Sequence, residues 1–159
     1  MKLWITSTLI GKLVATFVIS MLPVIELRGA IPYGVGFGLN PWVAFSVAVL
    51  GNMVPVPFIL LFMDKVFDIL KRMGGKLEKF AVWLEAKAYR NQEKIEKYKV
   101  FGLYAFVAIP LPGTGAWTGA LAASVLGISK KRAILSILAG VITAGFIVTA
   151  VSYGFKAIL

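Results

Sequence analysis

Glu26 and Arg28 are the residues in this sequence whose types and spacing could most readily do chemistry. They stand two apart in Glu26-Leu27-Arg28, inside a stretch that is otherwise apolar. Each alone would cost about 2.5–3.5 kcal/mol at the centre of a bilayer on insertion scales, so an intramembrane pair of this kind is a functional candidate by default. Glu26 could exchange a proton or a cation, and the planar fork of Arg28 could hold a phosphate or carboxylate. The same two residues could also form a structural ion pair closing a hairpin tip, or reach out to a nearby interface. A second constellation, Pro110-Leu111-Pro112-Gly113-Thr114-Gly115 followed by Trp117 and Thr118, carries no charge. Gly113 and Gly115 permit turns that other residues resist, and the first amides of a following helix would point toward an anion. No lysine of the phosphate-loop kind follows, and a tight structural turn would need the same residues. Asn52 is the third candidate, a polar side chain beside Gly51 with Pro55 and Pro57 after it. Its amide could face the tips while the prolines kink the helix, or it could simply pack between helices.

Much chemistry is absent. With no Cys and no His, the chain has no disulfide, no thiolate or imidazole metal site and no Cys–His or Ser–His pair. One acid in an apolar setting is too little for catalysis, so no catalytic residue, metal or cofactor is expected. The 159 residues are 59% hydrophobic and 15% charged, with 17 Lys plus Arg against 7 Asp plus Glu. A mean hydropathy of +0.87 turns the net charge of +10 toward a membrane surface rather than nucleic acid. The expectation is an all-α integral membrane protein of one domain, residues 1–159.

The gaps between charges show which segments can lie in lipid. Long ones run Gly29–Met63, Val100–Ser129 and Ala133–Phe155, with a shorter one at Leu13–Ile25. A crossing needs about 20 residues, so the spacing predicts membrane helices over 41–63 and 130–155. Asn40 before Pro41 and Ser129 before Lys130 supply their caps. The segments 13–39 and 100–128 are each interrupted, the first by Pro23 and Pro32 around Glu26-Leu27-Arg28, the second by Pro110 and Pro112. Each arm would reach only about half the bilayer at about 1.5 Å per residue, which predicts re-entrant hairpins in place of Pro-kinked full spans.

Topology agrees with hairpins. The linker 64–99 holds ten Lys or Arg against six acids, and Lys130-Lys131-Arg132 is the other compact basic cluster. The positive-inside rule places both in the cytoplasm, and only a segment that enters and leaves by one face keeps them together. In the linker, Gly74-Gly75 precedes an expected amphipathic helix with Leu77, Phe80, Ala81, Leu84, Ala88, Ile95 and Tyr98 on one side, suited to the anionic leaflet or to a partner.

A shift of 89 residues superposes Leu22-Pro23 on Leu111-Pro112, Gly38 on Gly127, Asn40 on Ser129, Ala44 on Ala133 and Gly51 on Gly140. The units are 11–63 and 100–155, each a hairpin, a capped corner and a crossing. One hairpin plus one crossing delivers the next unit to the opposite face, so the repeat is inverted, an architecture of many secondary transporters.

The segments Leu22-Pro23-Val24-Ile25-Glu26-Leu27-Arg28-Gly29-Ala30-Ile31-Pro32 and Ala108-Ile109-Pro110-Leu111-Pro112-Gly113-Thr114-Gly115-Ala116-Trp117-Thr118-Gly119-Ala120 closely resemble the two signature segments of the small multidrug export protein family. That family is similar to a distant branch of the DedA superfamily, which includes flippases of polyprenyl-phosphate lipids and lipid scramblases. The resemblance implies paired re-entrant hairpins and matches Glu26 to the acid of the first DedA hairpin. The second DedA hairpin usually carries arginines, whereas none occurs between Val100 and Ser129, leaving Arg28 to substitute from the other tip. The expected function is a multi-pass transporter or flippase of the cell membrane. It would move an anionic amphipathic substrate such as a phosphorylated lipid carrier, with Glu26 coupling to protons or sodium. Glu26, Arg28, Asn52, Gly113, Thr114, Gly115 and Trp117 are the candidate binding residues, and membrane lipids and a second copy in a homodimer are the expected partners. Export of small hydrophobic cations and a non-transporting scaffold or accessory subunit are the alternatives.

Overall fold

The computed structural model describes residues 8–158 apart from positions 74, 76, 77, 80, 81, 84, 85, 87–91 and 112. The described residues form helices and no strand: α1 (Leu9–Met21), α2 (Glu26–Gly36), α3 (Pro41–Met53), α4 (Pro55–Arg72), α5 (Gln92–Ala108), α6 (Ala116–Val125) and α7 (Lys130–Ile158). Among the described residues two stretches are long and apolar enough to cross a membrane, Pro41–Ile69 and Lys130–Gly154.

Local chemistry sets the helix ends. The Thr8 side chain caps α1 by accepting from the Gly11 amide at 3.1 Å, and the Asn40 side chain caps α3 by accepting from the Trp42 amide at 2.9 Å. The second arm of each hairpin ends in the same way. After α2, Gly38 has φ +88°, the Leu39 amide donates to the Gly34 carbonyl and the Gly38 amide to Val35. After α6, Gly127 has φ +65°, the Ile128 amide donates to Ala123 and the Gly127 amide to Ser124. Both are Schellman caps, with the glycine in the left-handed region and a buried apolar residue, Leu39 or Ile128, after it. The two cap glycines lie 89 residues apart in the chain.

Several boundaries differ from expectation. The segment 41–63 is broken at Val54, because Pro55 brings no N–H; the Val54 amide instead donates to Gly51, and the rod continues as α4 to Arg72. Pro32 does not break the first hairpin but lies within α2, where one donor is lost and the buried Ala30, Ile31, Gly34 and Val35 hold the helix in place. In the second hairpin α5 begins at Gln92, since the charged residues 92–99 continue the same helix. The linker positions Leu77, Phe80, Ala81, Leu84 and Ala88, as well as Gly74, lie outside the described residues, as does the side chain of Ile95; Tyr98 is exposed on α5.

The helices pack as two interlocked units. α1 lies against α2 and α3, and α5 lies against α7 and α6; α2 then packs on α7, and α6 on α4. The second arm of each hairpin thus rests on the long helix of the other unit. Small residues make these contacts close. Gly51 abuts Ser20 and the Phe17 carbonyl of α1, and Gly140 abuts Val107 and the Tyr104 carbonyl of α5. Ala44 and Ala133 are both fully buried, while large side chains such as Leu50, Phe58, Phe62 and Phe101 point outward. Small residues inside and large apolar residues outside are the pattern of helices packing in lipid.

Candidate functional site

The two hairpin breaks meet. Glu26 opens α2 with φ +51°, a left-handed conformation that costs a non-glycine residue about 1–2 kcal/mol, and its side chain is 5% exposed. This turn sends the carboxylate to the start of α6, where Oε1 accepts from the Trp117 amide at 3.3 Å. An acid at the first turn of a helix complements the positive end of its dipole. Gly115 is required for this approach, because a Cβ there would overlap the carboxylate. The anion at the α6 terminus is therefore the protein's own Glu26.

Arg28 holds the other side of the same break. Its Nη1 donates to Glu26 Oε2 at 2.8 Å, and its Nη2 donates to the Thr114 carbonyl at 2.7 Å, to Thr114 Oγ1 at 3.1 Å and to the Ile109 carbonyl at 3.2 Å. Ile109 directly follows α5, so the guanidinium sits at the negative end of that helix while Glu26 sits at the positive end of the next. Arg28 Nε is buried and finds no partner.

Trp117 reciprocates from the second unit. Its indole Nε1 donates to the Met21 carbonyl at the end of α1 at 3.0 Å. Within the second tip, the Thr114 hydroxyl bonds to the Ile109 and Leu111 carbonyls at 2.7 and 2.9 Å, and Thr118 Oγ1 accepts from the Gly115 amide at 2.9 Å. Gly113 takes φ +83° in a turn closed by the Thr114 amide on the Leu111 carbonyl. Pro23 and Pro110 lie in the two breaks; Pro112 is outside the described residues.

Asn52 is fully buried, and neither its amide nitrogen nor its oxygen has a hydrogen-bond partner. Its neighbour Gly51 touches the last turn of α1, which leads into the Glu26 break, so Asn52 lies near the depth of the tips. Six of the seven candidates, Glu26, Arg28, Gly113, Thr114, Gly115 and Trp117, fall on the two adjoining tips, and Asn52 on the span beside them. The roles of the Met21 and Ile109 carbonyls were not readable from sequence, since any residue supplies a carbonyl. Thr118 could have been found, because a hydroxyl three residues after a helix cap is a capping pattern. Among the described residues no group of His, Cys, Asp or Glu could hold a metal ion.

Among the described residues, all-helical structure, two apolar helices of crossing length, outward-facing large side chains and a single buried charge, Glu26, paired with Arg28, have the character of a membrane protein. The chain belongs to the family described as putative small multi-drug export protein, whose model matches residues 26–147. That match begins at Glu26 and spans both tips. Comparison with curated proteins and with solved structures finds no match for the chain.

Proposed function

We propose that the protein is a membrane exporter of small hydrophobic cations, built as an inverted repeat of re-entrant hairpins, in which the Glu26–Arg28 pair latches the two tips together. The observation that carries this reading is the engagement of the Arg28 guanidinium by Glu26 and by the carbonyls of Ile109 and Thr114. Spent in this way, Arg28 leaves no strong counter-charge for an anionic head group, whereas Glu26 remains an acid that a proton or a cationic cargo can neutralise. Neutralising Glu26 removes both its pull on Arg28 and its charge at the start of α6, and so frees the two units to move against each other. The family's description as multi-drug export agrees with an exported small-molecule cargo. The linker 64–99 and Lys130-Lys131-Arg132 face the cytoplasm in this reading, which the ion pair between Lys130 and Asp64, the first residue of the linker, supports.

A second reading, transport of an anionic amphipath such as a phosphorylated lipid, is favoured by one observation: Arg28 Nε is buried without a partner and could donate to such a group when the tips part. Proteoliposomes separate the two. Under the first reading, purified protein exports a hydrophobic cationic dye and leaves a fluorescent phosphorylated lipid in its leaflet. Lipid movement without dye movement would reverse the assignment, and movement of neither would favour a scaffold.

A further inference from the structure

Arg28 is an imperfect occupant of its own place. Its Nη2 carries two hydrogens yet has three acceptors in reach, the Thr114 carbonyl at 2.7 Å, Thr114 Oγ1 at 3.1 Å and the Ile109 carbonyl at 3.2 Å. On the same guanidinium, Nε is buried and has no acceptor among the described residues. The surplus of acceptors thus lies on the second tip, and the shortage beside the stem of Arg28. Tethered through Nε, the guanidinium cannot turn to match the two, and a buried donor left unpaired is costly.

The groups that Nη1 and Nη2 engage form a set of acceptors around one negative charge. Glu26 Oε2 supplies the charge, 2.8 Å from Nη1, in a side chain that is 5% exposed. Two main-chain carbonyls add to it, and the Thr114 hydroxyl, whose proton is directed to the Ile109 and Leu111 carbonyls, offers its lone pairs. Such a set binds a cation through its N–H groups and offers a cation without them only Coulomb attraction. It is also reachable. The Arg28 side chain is 17% exposed, and its bond to the Ile109 carbonyl lies at the exposed edge of the joint, where Ile109 itself is half exposed.

We infer that the cargo is a planar N–H-bearing cation of the guanidinium or amidinium kind, and that it binds on Glu26 Oε2, the Ile109 and Thr114 carbonyls and Thr114 Oγ1 in place of Arg28, which acts as a tethered competitor. A free ion of this kind can turn until its donors meet those acceptors. Arg28 ties Ile109 and Thr114 of the second unit to the first, so cargo that takes its acceptors also undoes the latch. The inference rests on the export reading for the charge and apolar character of the cargo, and narrows that cargo to cations able to donate.

Phenylguanidine, a cation with N–H donors, is the probe; phenyltrimethylammonium carries the charge without the donors, and phenylurea the donors without the charge. Binding is measured by equilibrium dialysis against the full chain in lipid nanodiscs, with empty nanodiscs as the blank. Wild type is expected to bind phenylguanidine about tenfold more tightly than either control. Arg28→Ala, which removes the competitor, should bind it about tenfold more tightly than wild type does, and its unfolding midpoint should rise with phenylguanidine and with neither control. Thr114→Val should weaken phenylguanidine about fivefold, and Thr114→Ser should restore it. Equal binding of phenylguanidine and phenyltrimethylammonium by wild type, no gain of affinity in Arg28→Ala, or wild-type affinity in Thr114→Val would overturn the assignment. The wild-type and Thr114→Val comparisons decide the matter if Arg28→Ala fails to fold. Efflux separates this inference from the export reading. Selective binding without export of phenylguanidine would keep the site and remove the export reading; equal export of phenylguanidine and phenyltrimethylammonium would keep export and remove the site.

Discussion

Arg28 and Trp117, 89 residues apart, close each other's hairpins: Arg28 donates to the Ile109 carbonyl at the end of α5, and Trp117 donates to the Met21 carbonyl at the end of α1. The repeat shift superposes one residue on the other. The same shift places Glu26 on Gly115, and these two also touch across the tips. The charge pair and the glycine are thus two halves of one joint, asymmetric in chemistry and reciprocal in geometry.

Gly115 should tolerate no side chain. Gly115→Ala places a methyl in the space of the Glu26 carboxylate, and a loss of more than about 2 kcal/mol is expected from the clash and the stranded charge. Thermal unfolding in detergent checks this; a variant as stable as wild type would mean that the tips do not meet.

The ion pair should show strong coupling. Glu26→Gln and Arg28→Met each strand a buried partner, at about 3–5 kcal/mol, while the double variant removes both charges and should be more stable than the sum of the singles implies. Unfolding midpoints of the four proteins give the cycle. Additive losses would contradict direct pairing.

The two Schellman caps offer a test of equivalence. Gly38→Ala and Gly127→Ala each force a Cβ into the left-handed region, at about 1–2 kcal/mol, and the losses should be similar. A large loss at one and none at the other would separate the units.

Asn52 carries an amide with both polar atoms unpaired. Its near-isosteric replacement Asn52→Leu removes that burden of about 1–3 kcal/mol, so the variant should be at least as stable as wild type. If the amide contacts cargo or the coupling ion, efflux should fall at the same time. Lower stability with normal efflux would make Asn52 a packing residue only.

Much of this organisation was legible because charges are so costly in lipid that their gaps outline the apolar segments. Ala133–Phe155 reads directly as the body of α7, and Asn40-Pro41 as the start of α3. Glycine requirements at Gly38 and Gly127 were visible as repeat landmarks. Long-range partners were not. Nothing local to Glu26 says that its carboxylate ends on the Trp117 amide, because that contact depends on how α2 crosses to the other unit. The charged residues 92–99 concealed the early start of α5, since helix continuity does not require apolar residues. Pro32 misled in the opposite sense, because tertiary packing carries α2 through a lost donor.

Efflux from proteoliposomes loaded with a hydrophobic cationic dye and reconstituted with wild type or with the Glu26→Gln/Arg28→Met double variant tests the latch most directly. Wild type should export the dye, and the double variant, folded but without its central charges, should release it no faster than protein-free vesicles. Export by the double variant at the wild-type rate would contradict the assignment of transport to the Glu26–Arg28 pair.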